Sequence, residues 1–463
     1  MKFLFCLVFI LILSCNSSNR DKSVFIGGNI INPSSKFITI YRGDNIIDSI
    51  PLDQKNKFHK SYENFLPGVY KLEHPPQNQS ILIEPGDSIW TRVNTSDFDA
   101  SIAFSGKGAA KNNFLMEVNK QLKSEISFLS NKYSYNSRKF SKIIDSLLNE
   151  KKQNWITFDS LNTLTPLAQK ITQSSYIYPY ANRRERYSLI RGNNILFNKD
   201  SVNYFSFRKY LSLGEEELHT FEPYIKYIMS YLSNLAIRGN QYFSIAKKST
   251  DFNIRRLQII NNQIPSNKLR STLFRSVAYE ELINFDNHLN HKEFINFFST
   301  LENGSENHIN EILSLYESIK SMQKGKKLPI IDLEDSNFNR HKSSFIYNNK
   351  PTVIYFWSQT QMNYFKNTYD LVLKFKNKFP NYRYIGICLQ PLNSIVLDFQ
   401  NDLGISTENQ FAMVDFENGS KKWVLTLLNK GIIIDPKGLI IEGFGVFTSR
   451  NFENILKYNH LKY

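Results

Sequence analysis

Three cysteines, two closely spaced histidines, a run of glutamates and a cluster of arginines are the side chains of this 463-residue chain that could do chemistry. A thiol reacts only as the thiolate, so the setting of each sulfur decides what it can do. Cys6 lies inside the apolar run at residues 3–13, and Cys15 follows that run directly after Ile12-Leu13-Ser14. Cys388 stands in Tyr384-Ile385-Gly386-Ile387-Cys388-Leu389, an apolar strand pattern in which a thiol is a small core residue rather than an activated one. His288 and His291 stand three apart, yet two imidazoles do not make a zinc site and no glutamate-bearing metalloprotease motif surrounds them. Glu215, Glu216 and Glu217 follow Gly214 and read as acidic residues complementing a helix N-terminus, not as an acid–base pair. Arg183, Arg184, Arg186 and Arg191, beside Tyr176, Tyr178, Tyr180 and Tyr187, read as a solvated helix face. They are also the best surface candidate for a polyanionic partner. No metal and no cofactor is called for by any of these groups.

The elements that would position a site are clearest at residues 351–375. Residues 352–357 are apolar, β-branched and aromatic, and they follow Asn348, Asn349, Lys350 and Pro351, which predicts a buried strand. From Thr360 the period changes. Met362, Phe365, Tyr369, Val372 and Phe375 recur at three- and four-residue steps, predicting a helix that ends before Pro380. The N-terminus of such a helix lowers the pKa of a thiol placed there.

Phe356 and Trp357 at the end of this strand match the first two places of Phe-Trp-x-x-Trp-Cys-x-x-Cys, and here the segment resembles the TlpA-like thioredoxins of bacterial envelopes. The resemblance implies a thioredoxin fold and a pair of exchanging cysteines. Aligned without gaps, however, the second tryptophan falls on Thr360, the attacking cysteine on Gln361 and the resolving cysteine on Tyr364. A third family element, a cis-proline before the next strand, falls on Asn429. Neither Gln nor Tyr attacks a disulfide sulfur, so the resemblance implies a redox motif that is degenerate at Gln361, Tyr364 and Asn429.

The N-terminus resembles a bacterial lipoprotein. Residues 1–14 read as a signal peptide whose eleven-residue apolar core is too short to cross a membrane as a helix, and Ile12-Leu13-Ser14-Cys15 is similar to a lipobox. Lipidation at Cys15 is what that resemblance implies, with residues 15–22 as a polar tether. Cys6 would leave with the signal and Cys15 carry lipid, so Cys388 alone would remain as a thiol and no internal disulfide could form.

Residues 23–108 alternate with period two in short segments separated by turn residues such as Glu84-Pro85-Gly86-Asp87, predicting a β-sandwich. This stretch, including Leu66-Pro67-Gly68-Val69-Tyr70, resembles the β domain that precedes thioredoxin domains in many Bacteroidota lipoproteins. Residues 109–323 turn helical: Phe140, Ile143, Ile144, Leu147 and Leu148 form one stripe, and Tyr224, Ile228, Leu232 and Leu235 another. Thr165-Pro166 is a helix start. Residues 324–463 read as strand, helix, strand, helix, hairpin, helix. The fold class expected is multi-domain α+β: an N-terminal β-sandwich, a central α-helical bundle and a C-terminal thioredoxin-like α/β domain.

Hydrophobic and charged contents of 41% and 21% are those of a globular protein. The formal charge of +15 comes from dispersed lysines without a nucleic-acid motif, so nucleic acid is not the expected partner. The expected partners are the membrane, through the N-terminal lipid, and an envelope protein or ligand. The expected location is the cell envelope, lipid-anchored to the inner or outer membrane and facing the periplasm. Two functions stay open: a non-catalytic lipoprotein whose thioredoxin-like domain binds or scaffolds, and a thiol-disulfide oxidoreductase acting on envelope proteins, which would need Cys388 exposed with a lowered pKa. Binding of glycans or peptides through the β domain and bundle is a further possibility, marked by exposed aromatics.

Overall fold

The computed structural model describes residues 22–33, 35–43, 45–75, 77–192, 204–237, 242–284, 291–301, 306–347, 349–392, 394–402 and 404–460. Residues 1–21, with Cys6 and Cys15, and His288 with its two followers lie outside the described residues. Among the described residues no helix is long and apolar enough to cross a membrane. The chain forms two compact units, Met1–Tyr135 with Lys142–Tyr180, and Asn136–Ser141 with Ala181–Tyr463.

The first unit is built on strands β1 (Val24–Ile31), β2 (Phe37–Arg42), β3 (Asn45–Pro51), β4 (Lys57–Tyr62), β5 (Gly68–His74), β6 (Gln77–Ile83), β7 (Ser88–Asn94) and β8 (Ala103–Ser105). They form two four-stranded sheets, β4-β1-β7-β8 and β3-β2-β5-β6. In β7 the side chains alternate as the sequence pattern requires: Ile89, Thr91 and Val93 are buried, whereas Ser88 and Arg92 are exposed. Ile26, Ile40, Phe58, Ile81 and Ile89 fill the space between the sheets. Helix α1 (Ala109–Ser130) closes one end. Its buried Asn112 accepts from the Leu82 N–H at 2.7 Å and donates to the Leu82 carbonyl at 2.9 Å, so an amide side chain pairs with the open edge of β6 as a further strand would.

Helix α2 (Ser137–Leu161) and helix α3 (Pro166–Arg191) follow. The cap read at Thr165 is present: its hydroxyl accepts from the Ala168 N–H at 3.0 Å and also donates to Glu84. Replacing it by alanine removes one cap and one carboxylate partner, and Thr165→Ala is expected to destabilise the protein by about 1–2 kcal/mol in thermal unfolding. Thr165→Ser, which keeps the hydroxyl, is expected to stay near wild type.

The basic cluster meets the expectation in part: Arg186 and Arg191 are exposed and Arg183 and Arg184 half-buried, but the tyrosines beside them turn inward. Tyr176, Tyr178 and Tyr180 are buried in the first unit, and Tyr180 donates to both oxygens of Glu125 at 2.8 and 2.9 Å. In the second unit Tyr187 is buried against Phe140, and the intervening Glu185 is fully buried, held by Arg208 at 2.6 Å and by Asn234. The segment is core on one side because its tyrosines carry enough apolar ring to bury while their hydroxyls find acceptors.

The second unit continues through α4 (Glu222–Ala236), α5 (Thr250–Gln263), α6 (Asn267–Leu282), α7 (His291–Phe298) and α8 (Glu306–Ser321). The glutamate run does not open an α-helix. Glu216 begins a single 3₁₀ turn, Glu216–Leu218, and pairs with Lys268 at 2.8 Å. His291 Nδ1 lies 3.5 Å from buried Glu281, and among the described residues no group of three or more metal-ligating side chains forms.

A seven-stranded sheet completes the unit, from β9 (Asp332–Asp335), β10 (Arg340–Lys342), β11 (Thr352–Trp357), β12 (Arg383–Cys388), β13 (Gln410–Met413), β14 (Lys430–Ile434) and β15 (Ile440–Val446). Its order is β10-β9-β13-β12-β11-β14-β15. Strands β11, β12 and β13 run parallel, and β14 and β15 return antiparallel. Helix α9 (Met362–Lys378) links β11 to β12, α10 (Ser394–Asp402) links β12 to β13, α11 (Phe416–Lys422) links β13 to β14, and α12 (Arg450–His460) follows β15. All six residues of β11 are buried, as a strand paired on both edges and covered on both faces must be. The expected order of elements is present, with the β9–β10 hairpin, β13 and α11 added to it.

Candidate functional site

The carboxyl end of β11 feeds the amino end of α9, and here the structure brings two of the three alignment positions together. Trp357 ends the strand fully buried, its ring stacked on Phe365 of the first helical turns with centroids 4.0 Å apart. That stack fixes how the helix leaves the strand. Gln361 is the N-cap residue of α9, exposed, and its side chain does not cap. One turn on, the Tyr364 hydroxyl points at Asn429 Oδ1, 3.5 Å away. Asn429 immediately precedes β14; its amide donates to Thr448 Oγ1 at 2.8 Å and its carbonyl accepts from the Phe447 N–H at 2.8 Å. Tyr364 and Asn429 therefore meet, while Gln361 shares the helix end without a side-chain bond to either among the described residues.

What this trio can do follows from its atoms. Amides and a phenol hydrogen-bond, and burial pushes the Tyr364 hydroxyl above the ordinary tyrosine range, away from a nucleophilic phenolate. The thiol among the described residues is sealed. Cys388 is fully buried at the end of β12, paired in register with Trp357, and burial pushes it up to about 12. A glutamine lattice closes over it: Gln359 Nε2 lies 3.7 Å from Sγ and donates to the Pro391 carbonyl at 2.6 Å. The Gln359 N–H donates to Gln390 Oε1 at 3.0 Å, and Gln390 Nε2 donates to Ser358 at 3.0 Å.

Sequence reasoning passed over this lattice and also Lys430, which opens β14 and is buried, its ammonium nitrogen 2.6 Å from the Trp423 carbonyl and 3.0 Å from that of Val424. A lysine heading the otherwise apolar run Gly431-Ile432-Ile433-Ile434 was the available signal.

Neither the family models nor the curated proteins contain a match to this chain. Solved structures similar to it include the thioredoxin domain of a thiol-disulfide oxidoreductase from Bacteroides vulgatus, at 17% identity over 29% of this chain and 98% of that one, with a TM-score of 0.25. A thiol-disulfide oxidoreductase from Bacteroides fragilis matches at 16% identity over 29% of this chain and 98% of its own, TM-score 0.25. A domain described as a possible thiol-disulfide isomerase from Cytophaga hutchinsonii matches at 17% identity over 30% and 96%, TM-score 0.25.

Proposed function

We propose that this chain is an envelope lipoprotein, anchored through lipid on Cys15, whose thioredoxin-like C-terminal domain binds or scaffolds a partner instead of exchanging disulfides. The observation that carries the reading is the pairing of Tyr364 with Asn429 at the head of α9, beside Gln361, where hydrogen-bonding groups stand at the two positions that the resembled motif gives to cysteine. The burial of Cys388 beneath Gln359 and Gln390 supports it, since exchange through a mixed disulfide needs an accessible thiolate.

The purified protein is expected to add nothing to the rate of insulin reduction by dithiothreitol, and Cys388 to react with a thiol reagent only after denaturation. Fast labelling of the native protein, with a reductase activity that Cys388→Ala abolishes, would replace this reading by the oxidoreductase one. Anchoring is tested separately: fatty-acid labelling of the protein in its own cells is expected, and is lost in Cys15→Ala.

A further inference from the structure

The outward face of the sheet β4-β1-β7-β8 carries side chains that the packing of the first unit does not use. Along β1 the residues on this face are Phe25, Gly27 and Asn29, since Val24, Ile26, Gly28 and Ile30 are buried on the other side. Register places His59 and Trp90 on either side of Gly27, and Lys57 and Arg92 on either side of Asn29. Phe25 and Trp90 are partly exposed, and their rings are parallel within 5° with centroids 6.3 Å apart. Gly27 makes this arrangement possible. A side-chain carbon there would stand 2.9 Å from Trp90 and 3.0 Å from Phe25, so both rings lean over the glycine and form one apolar platform.

Along the strands around the platform the charge has one sign, and the carboxylate of Asp53, in the turn before β4, lies within range of Lys57. Lys57, His59 and Arg92 are exposed, the register positions of this face hold no carboxylate, and Arg92 has no acidic partner among the described residues. An aromatic ring presents a negative face, which attracts the weakly positive C–H bonds on the flat side of a pyranose ring. A guanidinium offers a fork that a carboxylate accepts in pairs. The geometry points to this face as a binding site for a polyuronate, a polysaccharide of carboxylate-bearing pyranoses, with Phe25 and Trp90 under the sugar rings and Arg92 and Lys57 on the carboxylates. The choice of a glycan over single-stranded nucleic acid, which also stacks on aromatic rings in basic surroundings, rests on the exported placement proposed above.

Affinity electrophoresis of the full chain in gels containing polygalacturonate, dextran or oligo(dT) tests the assignment. Retardation by polygalacturonate alone is expected. Trp90→Ala is expected to weaken it roughly tenfold or more, and Arg92→Gln several-fold with a shallower dependence on salt. Gly27→Ala, which crowds the rings without changing charge, is expected to weaken it too. Arg92→Gln alters an exposed side chain, so its circular dichroism and thermal midpoint should stay wild type whatever Trp90→Ala does to folding. No retardation by polygalacturonate, equal retardation by dextran, retardation by oligo(dT) with the same dependence on Trp90, or polygalacturonate binding that neither Trp90→Ala nor Arg92→Gln changes would each overturn the assignment. Because the assay uses purified protein, its failure is distinct from a failure of the anchoring experiment.

Discussion

Lys111→Met is expected to destabilise the first unit by about 3–5 kcal/mol at neutral pH, the range for stripping the partner from a buried charge. Lys111 is buried, with its ammonium 2.6 Å from Glu84 Oε2 and 2.7 Å from Asp87 Oδ2. Both carboxylates belong to the Glu84-Pro85-Gly86-Asp87 turn, which also folds on itself through the Glu84 N–H to Asp87 Oδ2 bond at 2.8 Å. The chain is tightly fitted around the trio. Gly108, at φ +90°, places the spot where its side chain would begin 2.5 Å from the Asp87 carboxylate, so only glycine can precede α1 here. Burial already pushes the Asp87 carboxyl above the ordinary range while Lys111 pulls it down. Without Lys111 the opposing pull is gone, and two buried carboxylates face each other.

A carboxyl whose folded pKa is raised contributes stability below its unfolded pKa and loses it as pH rises. The variant should therefore recover toward wild type as pH falls from about 7 to about 4. Chemical denaturation across that range measures it, and the triple variant Lys111→Met, Glu84→Gln, Asp87→Asn should regain much of the loss at pH 7 by removing the uncompensated charge. A loss that stays constant with pH would show that Lys111 acts through its methylenes and not its charge.

How much of this could be read in the sequence depends on what each segment buries. The strands of the first unit were readable because one face is buried and the other wet, so alternation is visible, as in β7, where Ile89, Thr91 and Val93 turn inward and Ser88 and Arg92 outward. Strand β11 was readable because it is buried throughout. Strand β13 was not, being four residues long and opened by Gln410, a polar residue that is buried because its amide donates to Tyr355 Oη at 2.7 Å. The β9–β10 hairpin is polar along nearly its whole length and is held by a local device, Asp335 Oδ1 accepting from the Asn337 and Asn339 N–H groups, each at 2.9 Å. Tertiary partners of this kind leave no period.

At the candidate site the readable part came from the resemblance, whose motif points to Tyr364 and Asn429, and these two, 65 residues apart, lie within reach of each other. The unreadable part was polar residues that turn inward. Nothing in the sequence pattern singles out Gln359 and Gln390, but a buried sulfur and nearby backbone groups give their amides partners there. Tyr180 of α3 was misjudged for the same reason, because its buried hydroxyl is satisfied by Glu125, which lies 55 residues away in sequence.

Lys430 is the strongest case, and its titration should be measurable. Burial lowers its ammonium to about 7, with Glu442 acting in the opposite direction. In the unfolded chain a lysine titrates near 10.4, so between about pH 7 and about pH 10 the unfolded state binds one more proton than the folded state. Stability must then rise with pH across that window, by up to about 1.4 kcal/mol per pH unit for this one group. The clamp itself survives deprotonation: a neutral amine keeps two N–H donors, and two carbonyls, of Trp423 and Val424, await them. Those carbonyls matter because Val424 sits at φ +48°, a strained conformation for a β-branched residue, which the lysine holds at the end of α11. Comparing wild type with Lys430→Met by urea denaturation at pH 7, 8 and 9 cancels every other titrating group. Wild type is expected to gain on the variant by about 1 kcal/mol from pH 7 to 8, where the folded amine is still partly protonated, and by about 1.3 kcal/mol from pH 8 to 9. A difference that does not change with pH would mean that Lys430 stays charged when folded, its two carbonyls and the ring of Phe444 at 4.7 Å compensating its burial.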